Sequence, residues 1–138
     1  MTIEELHQLW DKKNGKFVRS RGKSAASEHD LQVQCVRWFR LHYPKYARLL
    51  FAIPNGGQRN RIVAAKLKAE GVVAGVPDLF LAVPKGAYHG LWIEMKNGKA
   101  GKVSDKQNDM ISILNEQGYQ CEVARSFNEF EGVIRDYL

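Results

Sequence analysis

The sequence predicts an α/β domain, a four-stranded mixed sheet flanked by helices. Three observations predict it. The patterned segments run helix, strand, helix, strand, strand, helix, strand, helix, an order that places helices on both sides of one sheet. Two apolar runs, Leu79-Phe80-Leu81-Ala82-Val83 and Leu91-Trp92-Ile93, flank a turn-forming stretch at residues 84–90, the pattern of a hairpin. Polar caps mark where helices begin, at Ser27 and in the capping box Ser104-x-x-Gln107.

The elements follow in order. Residues 1–13 read as a short helix through Ile3, Leu6, Leu9 and Trp10, and residues 14–26 as a connector of Gly, Ser and basic residues. Together residues 1–26 form a basic N-terminal arm, and residues 27–138 the domain proper. Ser27 caps an amphipathic helix to about His42, with Leu31, Cys35, Trp38, Phe39 and Leu41 as its apolar stripe and Pro44 beyond its end. Glu28 and Gln32 stand four residues apart and share a helix face. On spacing alone Glu28 is a first-turn carboxylate that suits the helix dipole. Residues 48–53 read as a strand, followed by the glycine-rich turn Pro54-Asn55-Gly56-Gly57-Gln58-Arg59. Such a turn is either an ordinary loop or a set of backbone N–H groups turned toward an anion, and the basic flank of Arg59 and Arg61 favours phosphate contact. A helix is expected over residues 60–70 with Ile62, Val63, Ala65 and Leu67 inward and the basic residues outward. After the hairpin comes a basic glycine loop with Lys99 and Lys102, then a helix from Ser104 to about Gln117 carrying Met110, Ile111, Leu114 and, in part, Ile113 inward. Gly118 caps it. Residues 119–124 form the last strand and residues 128–137 the last helix.

Side chains on a strand alternate between faces. Trp92, Glu94 and Lys96 therefore share one face, and Leu91, Ile93 and Met95 the other. A hairpin centred on Gly86 sets Asp78 opposite Glu94, on the face that also carries Phe80 and Trp92. Charges there are costly unless they are paired or bind a metal. A bare Glu-x-Lys is most often a surface salt bridge; the added Pro77-Asp78 on the neighbouring run turns the reading toward a metal site beside a phosphodiester.

Composition narrows the partners. The 138 residues suffice for one core-forming domain, with a net charge of +6 that fits an anionic partner such as nucleic acid. Residues 1–27 hold six basic residues against three acidic ones, half of that excess. No run reaches the roughly 18–20 apolar residues of a membrane span, and the start of the chain lacks the pattern of a secretory signal. A soluble, cytoplasmic protein with no membrane partner is expected. Cys35 and Cys121 lie far apart and read as buried thiols, and His7, His29, His42 and His89 show no ligand spacing.

The helix with Glu28 and Gln32, the turn Pro54-Asn55-Gly56-Gly57, Gly75-Val76-Pro77-Asp78-Leu79, Ile93-Glu94-Met95-Lys96 and the Gln107 helix together resemble the VRR-NUC family of the PD-(D/E)xK nucleases. The resemblance spans residues 27–136 and leaves the arm outside it. It implies a restriction-endonuclease-like core and a metal-dependent endonuclease, in a stand-alone form of phage or bacterial type. By this resemblance Asp78 and Glu94 are the metal-binding carboxylates, with the Met95 backbone carbonyl completing the inner shell. Lys96 positions or activates the attacking water, and Glu28 lies near the metal directly or through water. Gln107 and Gln32 are supporting polar groups. For Gln107 the capping role competes, since one amide in one rotamer is not expected to serve both. The metal is Mg²⁺ or Mn²⁺, which favour oxygen ligands. The implied substrate is branched DNA such as a four-way junction, cut by a homodimer in a bacterial or phage-infected cell. Phosphate contacts fall to Asn55, Gly56, Gly57, Arg59, Arg61, Lys99 and Lys102. The other readings are a less selective nuclease subunit of a replication or repair complex, and a module that binds nucleic acid without cutting.

Overall fold

The computed structural model describes residues 27–54 and 60–138. The expected arm and the turn at residues 55–59 lie outside the described residues. The elements are α1 (Glu28–His42), a 3-10 turn (Pro44–Leu49), β1 (Leu50–Ala52), α2 (Arg61–Ala69), β2 (Leu79–Leu81), β3 (Leu91–Met95), α3 (Asp105–Glu116), β4 (Gln120–Ala124) and α4 (Phe127–Tyr137). The sheet runs β1-β2-β3-β4. Its first two pairings are antiparallel and the pairing of β3 with β4 is parallel, so the sheet is mixed as expected. Helix α3 forms the crossover that a parallel pair requires.

The hairpin register matches the expectation. Leu79 pairs with Ile93 and Leu81 with Leu91, which continues to Asp78 opposite Glu94. Gly86 at φ +57° forms the tip, closed by the Lys85–Tyr88 bridge. One sheet face carries Leu50, Leu79, Leu81, Leu91, Ile93 and Met95, all fully buried beneath Cys35, Trp38 and Phe39 of α1 and Phe130 and Ile134 of α4. Tyr137 ties the end of α4 to the hairpin, its hydroxyl donating to the Val83 carbonyl at 2.6 Å. The other face carries an aromatic row, Phe51, Phe80 and Trp92, with Phe80 and Trp92 centroids 4.3 Å apart.

The helix starts are chemically specified. Ser27 accepts from the Asp30 amide, and the Asp30 carboxylate accepts from the Ser27 amide. Each box satisfies two of the orphan donors of a helix start and stabilises it by about 1 kcal/mol.

Several expectations need correction. Residues 48 and 49 belong to the 3-10 turn that Pro44 opens, and the strand starts at Leu50; proline at a first helical position is pre-set for a helical turn. Leu41 is exposed rather than part of the α1 stripe, and Ile113 of α3 is also exposed. Helix α2 has no buried residue: Ile62 is 81% and Val63 42% exposed, Ala65 is exposed, and Leu67 is half-buried. Its apolar stripe exists, but among the described residues only Leu67 is partly covered. Cys35 is buried, and burial pushes its thiol up to about 12. Cys121 is half-buried rather than buried.

Candidate active site

The site forms at the end of the sheet where β2 begins and β3 ends. Its chemistry rests on alternation. The Ile93 and Met95 side chains fill the core, so Glu94 and Lys96 must project from the opposite face. Asp78, just before β2, reaches across the strand pair, and its Oδ2 accepts the Met95 amide at 2.8 Å. This bond fixes the carboxylate beside β3. The Met95 side chain is fully buried, so only its backbone is available to the site.

Glu94 is 2% exposed, an unusual position for a carboxylate. Its Oε1 accepts from Gln107 Nε2 at 2.8 Å and lies 3.4 Å from the Lys96 ammonium. Its Oε2 is buried and has no hydrogen-bond partner. A buried, half-satisfied carboxylate is costly. Burial pushes Glu94 up to about 8, the charge of Asp78 adds to the shift, and Lys96 opposes it. Lys96 is itself largely enclosed, its side chain 12% exposed.

Gln107 fills both of the roles that were expected to compete. Its Oε1 accepts the Ser104 amide at 2.8 Å while its Nε2 donates to Glu94. The two ends of an amide have opposite hydrogen-bonding character, so one rotamer serves both the cap and the carboxylate. The start of α3 is thereby locked to the site.

Glu28 stands at the first position of α1, exposed at the mouth of the site. Partial desolvation raises its pKa above the ordinary carboxylate value, the charge of Asp78 raises it further, and Lys96 opposes both. Glu28 therefore feels the same two groups as Glu94. Gln32, one turn further, is half-buried and lines a groove between α1 and β1 instead of bonding to the carboxylates. Of the expected phosphate contacts, Arg61 is exposed in the first turn of α2, and Lys99 and Lys102 are exposed on the loop after β3. Asn55, Gly56, Gly57 and Arg59 lie outside the described residues.

The donor set fits one hard divalent cation. Glu94 Oε2 has no other partner, Asp78 stands opposite it, and carboxylate oxygens suit Mg²⁺ or Mn²⁺. Among the described residues no three His, Cys, Asp or Glu side chains cluster tightly enough to hold a metal together.

Two supporting residues act through contacts that no local spacing shows. Arg125, in the turn after β4, donates to the carbonyls of Gly98 and Gly101. Gly101 in turn packs on the stem of Lys96, where an added Cβ would sit 3.2 Å from the Lys96 Cβ. Gly75 adopts φ +91°, and a Cβ there would lie 2.7 Å from the Lys106 carbonyl carbon. It lets the 71–77 loop rest against the first turn of α3. Gly75→Ala should cost more than about 1 kcal/mol, from the disallowed φ together with the clash. It should also slow any reaction at the site by shifting Gln107, which chemical denaturation beside an activity assay will measure.

Fold and site together define a class: a small α/β protein presenting a buried carboxylate, a second one beside it and a lysine at one end of a mixed sheet. A model of the VRR-NUC domain matches residues 16–128, beginning inside the arm and covering most of the chain. A solved structure described as a VRR_NUC domain protein superposes with a TM-score of 0.74. It is 30% identical, with 83% of this chain and 90% of that chain covered. No curated protein matches the sequence. The chain belongs to the VRR-NUC family, a nuclease family, which implies a nucleic-acid substrate.

Proposed function

We propose that the protein is a metal-dependent, structure-selective DNA endonuclease, resembling a Holliday-junction resolvase. The observation that carries this reading is the buried Glu94 carboxylate. One of its oxygens is held by Lys96 and Gln107, the other has no hydrogen-bond partner, and Asp78 is near enough for its charge to raise the Glu94 pKa. A protein that only bound DNA would have no use for a carboxylate at this depth with a second one, the half-buried Asp78, near it.

Asp78, Glu94 and the Met95 carbonyl would hold Mg²⁺ or Mn²⁺. When bound, the ion supplies Lewis acidity to the scissile phosphate and lowers the pKa of a water molecule. The protein residues do the rest. Asp78 is fixed by the Met95 amide, and Gln107 holds Glu94 in place. Lys96 puts a positive charge next to the developing negative charge on phosphorus and orients the attacking water. Glu28 accepts hydrogen bonds from solvent at the mouth. In-line attack leaves a 5′-phosphate and a 3′-hydroxyl. Arg61, Lys99 and Lys102 bind the backbone through charge, so affinity should fall with salt.

A homodimer would match the two-fold symmetry of a four-way junction. The exposed Ile62 and Val63 of α2 and Val73 beyond it support this reading, because they supply an apolar face for a second copy. No described helix is long and apolar enough to cross a membrane, which fits a DNA substrate in the cytoplasm of a bacterial or phage-infected cell.

The test is a labelled panel of four-way junction, flap, linear duplex and single strand, each with Mg²⁺, Mn²⁺ or EDTA, beside Glu94→Ala. Paired, metal-dependent nicks on the junction, absent in the variant, are the expected result. Cutting of other substrates in place of the junction would replace the resolvase assignment with the less selective nuclease. Binding without cutting under every condition would overturn the enzymatic reading.

A further inference from the structure

A groove of about 320 Å³ runs between α1 and the edge strand β1. Its walls include His29, Gln32, Arg37 and Arg40 from α1 and Phe51 from β1, and no carboxylate lines it. Positions 29, 33, 36, 37 and 40 follow helical spacing, so they form one stripe along α1. From His29 to Arg40 that stripe extends about 16 Å. Gln32, on the shared face with Glu28, joins the groove to the carboxylate site.

The lining is selective in character. Arg37 is exposed and has no hydrogen bond or ion pair among the described residues. Arg40 is tethered over the edge strand, its Nε donating to the Ala47 carbonyl at 3.3 Å and its Nη2 to the Leu50 carbonyl at 3.5 Å. Phe51 is 42% exposed, and its ring makes an edge contact with Phe80, 5.8 Å between centroids. The ring is thus supported by protein on one side, on a residue that is open to solvent. A cationic track with an open aromatic ring is how proteins hold unpaired nucleic acid, the cations following the phosphates and the ring stacking a base. The volume lies at the small end of single-ligand sites, suited to an unpaired nucleotide rather than to a duplex.

We infer that the α1–β1 groove binds an unpaired nucleotide of the DNA strand entering the carboxylate site, with a base on Phe51 and a phosphate on Arg37. The inference rests on the proposed nuclease reading and deepens it. On a four-way junction that nucleotide would be one unpaired at the crossover, next to the cut.

The test uses the full-length protein in EDTA and reads fluorescence anisotropy of a labelled oligothymidylate and of a labelled duplex of equal length. Phe51→Leu keeps an apolar side chain without a π face, and Phe51→Tyr keeps the ring. The expected result is that Phe51→Leu weakens oligothymidylate binding by about tenfold or more. Duplex binding should fall much less, and Phe51→Tyr should bind as the parent does. Arg37→Ala should also weaken binding and reduce the salt slope by about one. Unchanged oligothymidylate affinity in both Phe51→Leu and Arg37→Ala would overturn the inference, as would equal losses on single strand and duplex. If these variants instead shifted the sedimentation coefficient and left DNA binding intact, the groove would be a contact between copies of the chain. None of these outcomes depends on cleavage. Failure here is therefore distinguishable from failure of the metal-dependent panel.

Discussion

Lys96→Ala should slow cleavage by about 10²–10³-fold, the usual cost of removing one preorganised group that stabilises transition-state charge. The fold and DNA binding should persist, because Lys96 lies at the rim of the sheet and takes no part in the apolar core. The measurement is single-turnover cleavage with enzyme in excess. Two effects must be separated. Lys96 sits 3.4 Å from Glu94 and opposes the upward shift of that carboxyl, so its loss favours protonated Glu94 and weakens metal affinity. The rate is therefore followed to saturating Mn²⁺. A defect that persists at saturation belongs to the reaction itself. Full recovery would mean that Lys96 serves only to keep Glu94 ionised, and its assigned role would be wrong.

How much of this site could be read in the sequence depends on the range of each interaction. The pairing of Asp78 with Glu94 was legible because both strands are apolar and symmetric about Gly86, and the observed pairing of Leu79 with Ile93 requires it. The Ser104 cap was legible for the same local reason. The second bond of Gln107, to Glu94 thirteen residues away, was misjudged because spacing shows one partner at a time, while an amide has a donor and an acceptor end. Arg125 left no signal, and Gly75 entered only as one residue of the Gly75-Val76-Pro77-Asp78-Leu79 motif, which says nothing of its packing on α3. Their partners lie 24 and about 30 residues away in sequence, so local spacing shows neither contact. The α1–β1 groove is hidden for a similar reason, since its walls come from separate elements that alternation and helical period describe one by one.

The apolar face of α2 teaches a different lesson. Periodicity showed an amphipathic helix, and the helix is there. Period alone does not say where the partner for that face is. With Ile62 at 81% exposure, the partner is not among the described parts of this sheet. Patterning reports a wish to be buried, and only packing shows whether the chain itself grants it.

The second large effect concerns pH and metal. Burial, then the charge of Asp78, raises Glu94 from its ordinary 4.5 to about 8. The folded state therefore holds a proton that the unfolded state has released across this window. Stability follows the difference in bound protons, unfolded minus native, and that difference is negative here. The metal-free protein should thus lose stability as pH rises from about 4.5 to about 8, by on the order of a few kcal/mol. Thermal midpoints in EDTA at pH 5, 6, 7 and 8 will show the fall. Glu94→Gln, which keeps the shape and cannot ionise, should flatten the profile and be the more stable protein at pH 8. A bound divalent cation reverses the penalty, since it uses the ionised carboxylate. Mn²⁺ at a hundred times its dissociation constant should restore about 2.7 kcal/mol, most visibly at pH 8 and not in Glu94→Gln. A midpoint that rises with pH in EDTA, or a Mn²⁺ gain that survives in Glu94→Gln, would place the cation somewhere other than on this carboxylate. The same buried charge that weakens the empty fold is then what would make the site bind metal, because the cation supplies the partner that Glu94 Oε2 lacks.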